Sequence, residues 1–191
     1  MRLRLCFVTM VTTLALAASA DAALLGINES GLLTGATGVL VDDALYDVAF
    51  VEGTCAAVFT GCDATSDFAF TSSPDALHAG DALLDQVFLG NFDTSPHLTA
   101  GCTFYLSCSP VTPYFATATS VSVVAVENTD VFDGAWFAKD FSQAFDSTDN
   151  IAMVWAVWTP STVTSVPEPA SLSLLALSLV GLGAQRWQRK T

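Results

Sequence analysis

Positive charge is what this chain has least of: six Lys and Arg stand against 19 Asp and Glu, and five of the six lie within a few residues of the two ends. Between residues 23 and 165 there are 17 carboxylates and one cation, Lys139, a net charge of −16. A field of that sign repels nucleic acid and anionic lipid, so no nucleic-acid partner is expected, and it keeps the chain soluble. Histidine is scarce too. With only His78 and His97 present, a Ser or Cys nucleophile has few bases to activate it. G-x-S-x-G, H-E-x-x-H, G-x-G-x-x-G and the P-loop are all missing, so no catalytic residue is assigned.

What is present is concentrated at the two ends. Arg2 and Arg4 precede a short apolar stretch, residues 7–18, and Ala18, Ser19 and Ala20, or Ala20, Asp21 and Ala22, offer small-x-small cleavage sites. Residues 1–22 therefore read as a secretory signal helix that is removed. At the other end Pro167, Glu168 and Pro169 precede an uncharged run, residues 170–184, and the basic tail of Arg186, Arg189 and Lys190 follows. The 15 residues of that run would span about 22 Å as a helix, a marginal transmembrane segment against a hydrocarbon core of about 30 Å. Both basic ends belong on the cytoplasmic side, which places residues 23–166 outside.

The C-terminal arrangement resembles the PEP-CTERM sorting signal of Gram-negative bacteria. That resemblance implies processing of the Pro167, Glu168 and Pro169 motif by exosortase, a membrane protease-transpeptidase, after passage through the Sec machinery. It also implies residence on the periplasmic side of the inner membrane before processing, then at the cell surface or in an extracellular matrix, with exopolysaccharide as an associated partner. A second resemblance lies inside the chain: residues 53–63, Gly-Thr-Cys-Ala-Ala-x-Phe-x-Gly-Cys-Asp, look like a segment of other small PEP-CTERM proteins. The sorting signal names no activity, because unrelated domains share it. A structural or adhesive role is expected, with a carbohydrate-binding module or polysaccharide hydrolase as the alternative.

Residues 23–158 are of ordinary size for one domain with its own core. Once Cys6 has left with the signal, the exported chain keeps four cysteines, Cys55, Cys62, Cys102 and Cys108. An even set in an oxidising compartment points to disulfides, and of three possible connectivities, proximity favours 55 with 62 and 102 with 108. A four-cysteine zinc site would favour closer pairs than C-x6-C and C-x5-C.

Strand signals dominate the interior. Residues 37–41 and 44–51 form a predicted hairpin about Asp42 and Asp43, and further strands are expected over residues 67–70, 119–127, 133–141 and 151–158. The last is apolar on both faces and should be central. Pro110 and Pro113 read as a connection. One helix interrupts, with Ser73 as cap, Pro74 in its first turn and Gly90 and Asn91 as its stop; Ala76, Leu77, Leu83, Leu84, Val87 and Phe88 form its apolar stripe. The expected fold is mainly β, a two-sheet sandwich with one packed helix, followed by an extended tether over residues 159–166.

Three further groups carry weaker chemistry. His78, Asp81 and Asp85 share a helix face but read as its solvated side. Asp146 and Asp149, in the run ending at Asn150, are the place where Ca2+ could bind, although the run lacks the Gly and Glu of an EF-hand loop; no metal or cofactor is otherwise expected. Trp136, Phe137, Trp155 and Trp158 could form a sugar-stacking surface, with Trp155 the one best explained as core.

The charge imbalance predicts that salt stabilises the exported domain, since sodium chloride at about 0.1 M screens charges beyond about 10 Å. Thermal unfolding in dilute buffer and in salt checks this: the midpoint should rise with ionic strength, and a rise with calcium beyond matched ionic strength would mark a site at Asp146 and Asp149.

Overall fold

A computed structural model describes residues 22–137 and 140–162, all of which belong to one compact unit, Asp21–Ser165. The expected signal peptide, the sorting motif at Pro167, Glu168 and Pro169, the apolar run and the tail bearing Arg186, Arg189 and Lys190 lie outside the described residues. Among the described residues no helix is long and apolar enough to cross a membrane.

The unit is mainly β. Its strands are β1 (Leu24–Ile27), β2 (Leu33–Val41), β3 (Ala44–Val51), β4 (Ser107–Ala116), β5 (Ser120–Thr129), β6 (Gly134–Phe137), β7 (Phe141–Ser142) and β8 (Met153–Pro160), with helices α1 (Cys55–Val58), α2 (Ser73–Gln86) and α3 (Asn91–Thr94) between β3 and β4. The sequence predicts two stacked sheets, whereas these strands join one sheet in the order β1-β2-β3-β8-β4-β5-β6, with β7 also on β5. The physical reason lies in β8. It sits between the halves of the sheet, antiparallel to β3 from Val51↔Trp155 to Tyr46↔Pro160 and parallel to β4 from Ser109↔Met153 to Val111↔Trp155.

Alternation along the central strands makes two cores. One face carries Val124 and Val126 of β5 and Val154, Ala156 and Trp158 of β8, and it packs beneath Ala76, Ala79, Leu83 and Val87 of α2 and its C-terminal end. The other carries Val121, Val123 and Ala125 of β5, Val111 of β4 and Trp155 of β8, and is covered by Cys55, Phe59, Cys62 and Phe68, which come from α1 and its flanking loops. Loops thus cover the face that the sandwich expectation assigned to a second sheet. Each fully buried Val or Leu contributes about 1.5–3 kcal/mol, so both faces matter.

Local differences have local causes. β4 contains Pro110 and Pro113, the residues that read as a connection. Its ladder with β5 is registered at Cys108↔Asn128 and again at Val111↔Ala125, skipping Pro110, which has no N–H, and it shifts after Pro113. No strand forms over residues 67–70: Asp67 ends a 3-10 turn, Thr65–Asp67, and residues 68–70 follow as loop. The long strand expected over residues 133–141 is broken into β6 and β7. Ser72, one residue earlier than expected, caps α2, accepting from Asp75 N at 3.4 Å. The helix ends at Gln86, before Gly90, whose φ of 59° starts α3. Gln86 then acts as a strand surrogate: its amide donates to Leu40 O at 2.7 Å and accepts from Leu40 N at 2.9 Å. β8 runs through Thr159 and Pro160, so the first part of the expected tether is strand paired with Asp47 and Tyr46.

The predicted hairpin is present, with Val41 paired to Ala44 and Asp42 at φ 52°. Deeper in it, Gly35 has φ 151° and a Cβ there would lie 2.0 Å from Val48 O. Gly35→Ala should therefore force β2 from β3 and cost about 3 kcal/mol, which urea unfolding of the purified protein would read as a lowered midpoint with an unchanged slope.

Candidate functional site

The segment Gly53 to Asp63, singled out by its resemblance, is the lid of the second core. Gly53 O accepts from Trp155 Nε1 at 2.8 Å and from Ser147 N at 3.1 Å, and Gly53 N donates to Ser147 Oγ at 3.0 Å. Thr54 caps α1 by accepting from Ala57 N at 3.3 Å. Phe59 then meets Trp155 and Phe68 edge-on, with ring centroids 5.5 and 5.4 Å apart. Cys55 is bonded to Cys62 with Cα atoms 5.7 Å apart, and both are fully buried. The chain between them turns through Thr60, Gly61 and Cys62 at φ values of 49°, 111° and 54°, and Gln143 Nε2 donates to Cys62 O. These residue types are thereby explained by packing and turn geometry. Cys102 is bonded to Cys108 at the entry to β4, so Cys55, Cys62, Cys102 and Cys108 pair with their sequence neighbours.

The remaining candidates are dispersed. His78 turns to the β2–β3 hairpin, where Nδ1 lies 2.9 Å from Asp42 Oδ1, away from any joint ligand set with Asp81 and Asp85. Hydrogen bonding to Asp42 and attraction to its carboxylate raise the His78 pKa above its ordinary value, with smaller contributions from Asp81 and Asp75. Asp146 Oδ1 accepts from Thr148 N and Asn150 Oδ1 from Ala152 N, both at 3.0 Å, so these oxygens serve as local caps. Among the described residues no group of three or more His, Cys, Asp or Glu is gathered about a common point. Trp155 and Trp158 occupy opposite cores; Trp158 donates from Nε1 to Thr112 Oγ1 at 3.0 Å. Trp136 is the exposed tryptophan of the described residues, and the Phe137 side chain lies outside the described atoms.

Two surface features were not read from the sequence. A concavity of about 350 Å³ lies over β1, β2, β3 and β8, floored by Gly35, Ala36, Val48 and Ala49. Asp47 is the titratable residue in its lining, and its Oδ1 is engaged by Gly38 N at 3.0 Å. Its small side chains could have been noticed as a Thr, Gly and Ala run in β2, but only pairing with β3 and β8 brings them to one surface. The second feature is the β5–β6 turn, which exposes Val131 and Phe132 next to Asp133. Asp93 of α3 approaches Asp133 closely; desolvation first, then hydrogen bonding to and repulsion by Asp133, raise the Asp93 pKa.

The comparisons with known proteins bear on the C-terminal end. Residues 165–190 match the family model described as the PEP-CTERM protein-sorting motif. Comparison with curated proteins and with solved structures gave no match. The chain is thus of the class that carries its own C-terminal address. That address is the PEP-CTERM motif, which marks the protein for export through exosortase-type sorting.

The His78–Asp42 contact predicts a pH response. A raised folded-state value means that its contribution to stability is present below the ordinary value of 6.5 and is lost as pH rises through the raised value. In a proton NMR titration the His78 midpoint should lie above 6.5 and should fall when Asp42→Asn removes the carboxylate.

Proposed function

We propose that the protein is an exported envelope or extracellular-matrix component with a structural or adhesive role in an exopolysaccharide-rich surface. The observation that carries this reading is the sorting motif at residues 165–190. In this reading the signal peptide of residues 1–22 takes the chain out by the Sec route. The apolar run 170–184 then holds it in the inner membrane, facing the periplasm, until exosortase acts at Pro167, Glu168 and Pro169. Pro167 and Pro169 restrict the backbone and disfavour helix at the residue before each, so the segment is presented extended. Glu168 stays at the outer membrane interface, while Arg186, Arg189 and Lys190 prevent the run from sliding through.

The exported unit suits that role physically. Two buried disulfides and a sheet that binds its last strand on both sides make a robust display domain, and its −16 charge keeps copies apart. The alternative, a carbohydrate-binding module or hydrolase, rests on Trp136 among the tryptophans considered for sugar stacking, because Trp155 and Trp158 are committed to the cores.

Replacing Pro167, Glu168 and Pro169 together with alanine should leave a full-length form in the inner membrane and remove the processed form from the cell surface. Immunoblotting of fractionated cells reads both. Equal processing and display of the variant would end the sorting-signal account.

A further inference from the structure

β6 ends the sheet. Its residues pair with β5 from Glu127↔Gly134 to Val124↔Phe137, and no strand is paired to its outer side among the described residues. Such an edge presents free backbone donors and acceptors unless something blunts it. Beside it stands an apolar tip: Val131 is 88 % exposed, Phe132 67 % and Trp136 45 %. The tip is braced. Thr129 Oγ1 accepts from Phe132 N at 2.7 Å and from Val131 N at 3.3 Å, and Asp133 Oδ1 accepts from Thr129 N at 3.0 Å. Val131 and Phe132 are therefore held outward by their own turn, which lowers the entropy lost when something binds them.

Charge decides what fits. Glu127, Asp130 and Asp133 flank the tip, and Asp93 lies against Asp133. A second copy of the chain would bring the same carboxylates to the same edge. That repulsion acts at longest range at low ionic strength, where screening is weakest. Anionic lipid is disfavoured for the same reason. We propose that the outer edge of β6, with Val131, Phe132 and Trp136, docks an extended cationic polypeptide segment that carries basic and apolar residues together on one face, since the pairs Glu127↔Gly134 and Ala125↔Trp136 put Glu127 and Trp136 on the same face of the sheet. The added strand hydrogen-bonds to β6, its apolar side chains cover the tip, and its cations meet Glu127, Asp130 and Asp133.

The full-length chain in a neutral detergent, mixed with an octapeptide of two Lys-Lys-Val-Val repeats, which sets both lysine and valine on each face of the added strand, tests this. Amide exchange read by mass spectrometry should slow at residues 134–137. Val131→Ser with Phe132→Ser should weaken binding about tenfold, as should Asp130→Asn with Asp133→Asn, and raising sodium chloride from about 0.05 to about 0.3 M should weaken it as well. These residues are exposed, and an unchanged thermal midpoint shows that the variants remain folded. A glutamate–valine octapeptide should not bind.

Any one of these results overturns the proposal: no slowing at residues 134–137; equal binding by the double-serine variant; equal binding by a lysine–serine octapeptide, which would reduce the effect to bulk charge; or protection at 134–137 that rises with protein concentration alone, which would assign the edge to a second copy. Protection by phosphatidylcholine vesicles without any response to the lysine–valine peptide would assign the tip to a membrane surface and equally overturn it.

Discussion

Both halves of the sheet depend on β8. Strands β1 to β3 form one antiparallel set and β4 to β6 another, and between them lies a slot that only the last strand fills. Its pairs with β3 run over six positions, and those with β4 over three. β8 also joins the two cores, because Val154, Ala156 and Trp158 face α2 while Trp155 faces the lid. Such non-local pairing places a large loop-closure cost ahead of its reward, since about two thirds of the unit lies between β3 and β8. The two short disulfides do not shorten that closure. Cys55–Cys62 and Cys102–Cys108 each span a few residues, and they shape the lid and the entry to β4 instead.

The lid shows how a short motif is spent on architecture. Gly53 contributes backbone to four hydrogen bonds with Trp155 and Ser147, and those partners lie far along the chain, toward the end of the unit. Thr54 caps, Phe59 fills, and Gly61 permits the turn that returns Cys62 to Cys55. The whole motif is spent on closing one face of the sheet. The surface features left over are of a different kind, a small-residue concavity and an apolar sheet edge, and neither joins a nucleophile to a base.

Periodicity and proximity were legible where the interaction was local. The hairpin at Asp42 and Asp43, the amphipathic α2, the neighbouring disulfides and the central place of β8 all follow from residues close in sequence or from an unbroken apolar run. The sites of failure were those where tertiary context overrode a local signal. Pro110 and Pro113 read as a break, yet β4 accommodates them by leaving Ser109 and Pro110 out of the ladder with β5 and shifting register after Pro113. Phe68 and Phe70 looked like strand residues, but they plug the two cores from a loop. A two-sheet sandwich was expected from the many strand signals, and the pattern of a strand cannot say whether other strands or loops cover its apolar face; here the strands join one sheet and residues 55–68 cover its second face. The exposed tip at Val131 and Phe132 had no sequence signal beyond hydrophobicity in a turn.

The position of β8 has a mechanical side. The sorting motif follows it in the chain, so tension applied through the C-terminal segment enters the unit at Pro160 and runs along β8. A pull in that direction is parallel to the strand and perpendicular to its hydrogen bonds. It loads the ladders with β3 and β4 in shear, many bonds together, where an edge strand peeled from its end would yield one bond at a time. The Trp158 and Trp155 side chains, keyed into opposite faces with Nε1 bonded to Thr112 and to Gly53, act as pegs against sliding. A chain hauled by its tail is thus gripped at its most deeply held strand.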